Sequence, residues 1–211
     1  MSDILRQVDE DLRKDNLLGI WKSYGLYIIG LILIILISLA AYQYYLFNTK
    51  LKNEAIVEKY VDAATEGNIN KSIDQLIELD ESKNSFMKGL AKLKRAELYF
   101  TNSEKDTALK LLESIYNDKN LGRIIRDLAL YKYLMVQLDF LDKDLYLKII
   151  DSNDLQESKF KYHFKELKGL KLLIEGDISN SLEIFESIIS DDSSPVDIRT
   201  RSEKFIEISK S

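Results

Sequence analysis

Residues 66–73 read EGNINKSI, and residues 175–182 read EGDISNSL. Glu, Gly, Ile and Ser hold the same places in both, and Asn68 answers to Asp177. In each copy a Gly-Asn or Gly-Asp break precedes an apolar residue that opens an amphipathic run. The copies lie 109 residues apart, which is three periods of about 36 residues. The chain between them supplies the missing copies. Small or apolar residues recur at Ser72, Ala108, Leu145 and Ser181, with large apolar ones four positions on at Leu76, Leu112, Ile149 and Phe185. Twelve positions before the first set lie Tyr60, Ala96, Tyr133 and Gly169. Each unit therefore reads as a helix, a short turn and a second helix.

The second unit shows the pattern most clearly. Phe86, Leu90, Leu93, Ala96 and Phe100 mark one helix face, and Ala108, Leu111, Leu112 and Ile115 the next. Between them stand Thr101, Asn102 and Ser103, with Ser103 expected to cap the second helix. The third unit runs from Gly122 to Ile150 with a turn near Leu141 and Asp142, and is rich in aromatics: Tyr131, Tyr133, Phe140 and Tyr146. The fourth runs from Ser158 through Phe164, Leu167, Leu170 and Leu173 to Ile189. A last helix opens at Ser194-Pro195, with Ser expected at the N-cap and Pro at the first helical position. It carries Val196, Ile198, Phe205 and Ile206, and would cover the open end of a repeat stack. One Pro and eight Gly in the chain leave few helix breakers. The class is all-α, and two helices per unit at this period is the tetratricopeptide-like arrangement. An unrepeated helical bundle is the plainer alternative.

Upstream of the repeats lies an uncharged run from Tyr24 to Leu46, YGLYIIGLILIILISLAAYQYYL. A helix of that length rises about 34 Å, enough to cross a hydrocarbon core of about 30 Å. Trp21, Tyr24 and Tyr27 on one side and Tyr42, Tyr44, Tyr45 and Phe47 on the other form the aromatic edges of a retained anchor. A cleaved signal peptide fits less well. Its apolar region is only about 7–15 residues and follows a basic lead, whereas this lead contains Asp3, Asp9, Glu10, Asp11 and Asp15 beside Arg6, Arg13, Lys14 and Lys22. No stop signal follows the run. Leu51, Ile56, Val57, Tyr60, Val61 and Ala64 continue a helical spacing until Gly67-Asn68. The expected layout is a charged tail over residues 1–22, a transmembrane helix over 23–47 continuing into the first repeat, and a helical-repeat domain over 48–211 closed by a C-terminal capping helix. Basic residues near the two ends of the run are nearly balanced, so charge leaves the orientation open.

Composition narrows the function. With 30 Lys and Arg against 35 Asp and Glu, the formal net charge is −5, the wrong sign for a nucleic-acid binder. There are no cysteines, so no thiolate ligand or nucleophile exists. The single histidine, His163, lies in FKYHF inside an expected helix and reads as a packed or surface residue rather than a metal ligand. Asp139, Asp142 and Asp144 at one turn, and Asp191 and Asp192 at another, read as helix caps rather than an acid/base pair. No phosphate-binding glycine loop or nucleophile elbow is present. No catalytic, cofactor-binding or metal-binding residue is assigned, no cofactor is expected, and neither is a small-molecule substrate. The aromatics of units three and four read as core, with some of them lining a concave face that contacts extended peptide or a client's apolar surface.

The approach to the apolar run carries a resemblance. Val8-Asp9-Glu10-Asp11-Leu12-Arg13-Lys14-Asp15, then Trp21-Lys22-Ser23-Tyr24-Gly25 at the edge of a single span, is similar to the bacterial ancillary SecYEG translocon subunit family. The layout resembles that family throughout: tail, span, divergent repeats, and a closing helix after Ser194-Pro195 with Ile198, Arg199 and Arg201. The resemblance implies an inner-membrane protein with a cytoplasmic N-terminus and a periplasmic tetratricopeptide-like domain. It implies contact with the SecYEG translocon, periplasmic chaperones and export clients, and it offers no catalytic residues. This copy departs from the family in being rich in Lys, Ile and Asn, with few Ala in its repeats. The expected function is thus a membrane-anchored, non-enzymatic aid to protein export, held to lipid from Tyr24 to Leu46. A scaffold for assembling another inner-membrane complex is the alternative, and carboxylate catalysis in the groove is a remote third.

Overall fold

In the computed structural model the backbone of residues 2–209 is described, together with the side chains of residue 22 and residues 24–209. The tail residues quoted above from Val8 to Asp15, with Trp21 and Ser23, have side chains outside the described set. Nine α-helices and one short 3-10 turn account for the described structure, which contains no strand. The chain divides into two units, Met1–Ala55 and Ile56–Ser211.

Helix α1 spans Ser2–Thr65 without a break. Within it the apolar run is long enough to cross a membrane, and only 6% of its most apolar window is buried. A core helix of a soluble fold would be mostly buried. This one shows Leu, Ile and Tyr side chains on every side, from Tyr24 to Phe47, as a helix facing lipid does.

The second unit is the repeat stack. The end of α1 pairs with α2 (Ile69–Glu78), followed by the 3-10 turn Leu79–Glu81. Then come α3 (Ser85–Thr101) with α4 (Lys105–Asn117), α5 (Arg123–Val136) with α6 (Lys143–Ser152), and α7 (Lys161–Ile174) with α8 (Ile178–Ile189). Helix α9 (Val196–Ser209) packs on α8 and α7 as the closing helix. The core is a row of inter-helix clusters rather than one centre. Ala63, Leu76, Leu79 and Ala91 form the first, and Leu93, Leu112, Ile115 and Ile125 belong to the next. Leu134, Tyr146, Ile150 and Phe164 follow, and Phe185, Ile188 and Ile198 complete the row under α9. Each helix face is thus buried by its neighbours in the stack.

The small residues act where helices meet closely. A Cβ placed on Gly169 would lie 2.8 Å from the ring of buried Phe185. Ser181 Oγ donates to the Gly169 carbonyl at 2.9 Å, and Ser72 Oγ donates to the Ala63 carbonyl at 2.6 Å. Tyr146 Oη donates to the Leu134 carbonyl at 3.1 Å. Gly89, not singled out by the sequence pattern, has the same role: a Cβ there would sit 2.6 Å from Ile125.

The structure corrects several readings. In unit three the register moves by one: Leu134, Tyr146 and Ile150 are buried, not Tyr133, Leu145 and Ile149. Both helices move together, since Leu134 and Tyr146 stand twelve positions apart as Gly169 and Ser181 do, so the offset enters before α5 and not at the connection 137–142. On α1 the buried face runs through Ile56, Tyr60 and Ala63, leaving Val57 and Val61 exposed. On α3, Met87 and Ala91 are buried and Phe86 is exposed. Ser103 does not cap α4. It lies at φ 63°, and Glu104 N–H donates to Tyr99 O while Ser103 N–H donates to Phe100 O, which closes α3 in a Schellman turn. Gly176, at φ 79°, closes α7 the same way, through Asp177 N–H to Leu172 O and Gly176 N–H to Leu173 O. Before α9 it is the Pro195 carbonyl that accepts from Ile198 and Arg199 N–H, and the buried Ser194 Oγ has no partner.

Candidate functional site: a groove along the first helices

The first helices of units three and four, α5 and α7, together with α9, leave a cleft of about 470 Å³. Helical spacing builds its walls. Tyr131 and Met135 stand four apart on α5, and His163, Leu167 and Leu170 follow one face of α7. Arg201 and Phe205 stand four apart on α9, and Leu138 closes one end. Met135 is 51% exposed, so an apolar side chain faces the opening rather than the core.

An aromatic cluster supports this wall. His163 meets Tyr131 edge-on at 5.4 Å and Phe160 at 5.8 Å, while Tyr131 and Phe160 stack at 6.2 Å and Phe164 meets Tyr131 edge-on at 6.1 Å. Such pairs fix ring positions beyond their burial alone. Burial holds the Tyr131 hydroxyl above its ordinary pKa, with the Glu166 charge adding to the shift and Arg201 opposing it.

The charged groups of the cleft pair with one another. Glu166 is buried, and Arg201 grips it by a fork, Nε to Oε1 at 2.6 Å and Nη2 to Oε2 at 2.9 Å. Arg201 Nη1 also donates to Asp197 Oδ2 at 3.1 Å. The bidentate pair ties α9 to α7 and holds the guanidinium above its ordinary pKa. With that fork engaged by two carboxylates, the cleft offers a mainly apolar surface.

The carboxylates considered as acid/base candidates are spread over different turns. Asp142 Oδ1 accepts from Asp144 N–H at 2.9 Å and Leu145 N–H at 3.4 Å, capping α6. Asp191 accepts from Ser193 N–H at 2.9 Å and from Tyr162 Oη at 2.6 Å. Asp139 and Asp144 are exposed on the connection and first turn around α6, and Asp192 is exposed beside Asp191. Among the described residues no three His, Cys, Asp or Glu side chains gather in a way that could hold a metal ion. Of the aromatics in unit three, Tyr146 is core, Tyr131 lines the cleft, Tyr133 packs edge-on against Tyr116 at 5.5 Å, and Phe140 stands exposed under Lys105 Nζ at 3.3 Å.

The sequence reading missed the residues that lock one unit to the next. Lys171 is 1% exposed. Its ammonium donates to the carbonyls of Leu138 at 3.0 Å and Leu141 at 2.6 Å and pairs with Glu175 at 2.7 Å, so unit four holds the long connection of unit three and with it one end of the cleft. The residue just before each close-approach position also reaches back one unit. Arg95 pairs with Asp80 at 2.6 Å, Tyr133 packs on Tyr116, and Lys168 pairs with Asp151 at 2.6 Å. The shared offset from Ala96, Leu134 and Gly169 was the signal available in the sequence.

No curated protein and no solved structure matches the chain. A protein-family model described as a tetratricopeptide repeat-like domain matches residues 19–193. That match covers most of the chain and agrees with the succession of paired helices. The chain belongs to the tetratricopeptide repeat-like domain family.

Proposed function

We propose that the protein is a membrane-anchored, non-enzymatic scaffold that assists protein export at the SecYEG translocon of the bacterial inner membrane and links it to periplasmic chaperones. Residues 1–22 lie in the cytoplasm in this reading, residues 23–47 span the bilayer, and residues 48–211 stand in the periplasm. The observation that carries it is the apolar cleft of α5, α7 and α9 on a tetratricopeptide repeat-like stack, a concave surface suited to holding another protein's segment. The exposed apolar run of α1 supports the anchor, and the sequence around Trp21-Lys22-Ser23-Tyr24-Gly25 supports the translocon assignment. The charged groups of the cleft, Glu166, Asp197 and Arg201, are engaged with one another, which favours binding over catalysis.

A reporter enzyme that is active only outside the cytoplasm, fused after Ser211, tests the reading. Activity is expected. A silent reporter, with the fusion intact in the membrane fraction, would instead favour a cytoplasmic scaffold for another membrane complex.

A further inference from the structure

The cleft does not end in neutral surroundings. Leu138 lines it, and the chain then passes through Asp139 and the exposed Phe140 to Asp142, while Asp144 lies beyond, in a separate pocket with Leu147 and Lys168. Three consecutive turns adjoin here. Lys171 binds the carbonyls of Leu138 and Leu141, Lys143 pairs with Asp177 at 3.5 Å, and Lys105 lies over Phe140. The turns and the first residues after them hold Glu104, Asp106, Asp139, Asp142, Asp144, Glu175 and Asp177 against Lys105 and Lys143, with the Lys171 ammonium among them paired to Glu175 and Lys143 paired to Asp177. Asp106, Asp139 and Asp144 are exposed and make no ion pair with the described residues. Phe140 is 69% exposed, and the Lys105 ammonium lies over its ring, so this aromatic face already takes a cation. An apolar cleft thus opens onto an acidic rim bearing an exposed aromatic ring.

Charge complementarity decides what fits. We infer that the cleft takes a partner protein's segment in which an apolar stretch adjoins a cluster of Lys or Arg, the apolar part lying against Met135, Leu170 and Phe205 and the cations over the Leu138-to-Asp142 connection. This rests on the reading of the cleft as a protein-binding groove and adds the chemistry of its occupant. Opposite charges at the rim govern choice between partners and speed encounter more than they deepen affinity, so discrimination should be strong at low salt and fade as salt screens it.

The test uses the full chain in nanodiscs of zwitterionic lipid, with empty nanodiscs as the blank. Two fluorescent peptides share one apolar core of Leu and Ala; one is flanked on one side by lysines and the other by glutamates. Anisotropy at low salt should show the lysine peptide binding about tenfold tighter, with the gap closing in high salt. The combined Asp106→Asn and Asp139→Asn variant should remove most of the difference while keeping its helical circular dichroism. Met135→Asp should weaken both peptides. Equal binding of both peptides would overturn the inference and leave the groove reading standing. Binding of neither would overturn both. A lysine preference unchanged in the double variant would also overturn it, because the preference would then arise elsewhere.

Discussion

Ser103 and Gly176 do one task with different side chains. Both sit in the left-handed region after a first helix, at φ 63° and 79°, and both close that helix with the same pair of backbone hydrogen bonds. An L-residue pays a steric penalty there that Gly does not. Ser103→Gly is therefore expected to stabilise the stack by roughly 0.5–1 kcal/mol, and Gly176→Ala to cost about 1 kcal/mol or more. Urea unfolding of the two variants checks both signs together, and a loss on Ser103→Gly would contradict the equivalence of the turns. Lys171 is the other decisive residue. Lys171→Met keeps much of the stem but leaves the Leu138 and Leu141 carbonyls without their ammonium donor, for an expected loss of about 2–3 kcal/mol. Hydrogen exchange should show the earliest opening at residues 137–142.

Close approach between helices sets the stack at the scale of elements. At Gly169, Ala would gain roughly 1 kcal/mol of helix propensity, but its Cβ would meet the Phe185 ring at 2.8 Å. Phe185 is itself fully buried, so the overpacking cost of about 1–3 kcal/mol should win, and Gly169→Ala is expected to lower the urea midpoint. An unchanged or raised midpoint would mean that α8 can shift freely on α7. The same elements show what a sequence discloses. Helix-turn-helix units were readable because Leu76, Leu112 and Phe185 repeat at one spacing and stay buried. The register of unit three was not, because the twelve-residue step inside a unit is kept there and spacing alone does not say where an extra residue falls between units. Leu134 and Tyr146 together take the places assigned to Tyr133 and Leu145. The caps failed for a related reason: Ser103 and Ser194 are good cap formers, yet backbone geometry put other atoms in the capping positions. The cleft was readable as an aromatic surplus near Tyr131, but Arg201 to Glu166 and Lys171 to Leu138 join residues more than thirty positions apart, and nothing local marks them.

Across the whole molecule, acid should loosen the stack at its turns. The Lys71 ammonium beside Glu66, the Asn180 amide beside Asp177 and the Tyr162 hydroxyl beside Asp191 each hold a carboxyl below its usual range. A group whose folded pKa is depressed stabilises the fold above its unfolded pKa, near 4, and loses that contribution as pH falls through the lower folded value. The urea midpoint is thus expected to be level above pH 5 and to fall below pH 4, with a shallower fall in Asp191→Asn; equal slopes would remove Asp191 from the account. The central claim is that the cleft of α5, α7 and α9 holds a partner protein's segment. The most direct measurement places a photo-crosslinking amino acid at Met135 in living cells, with the same residue at Glu113, exposed on α4 outside the cleft, as the control. Crosslinks from Met135 to a translocon subunit or an export client, absent from Glu113 and lost in the presence of Phe205→Asp, are the predicted result. Crosslinks from Glu113 alone, or equally from both positions, would contradict it.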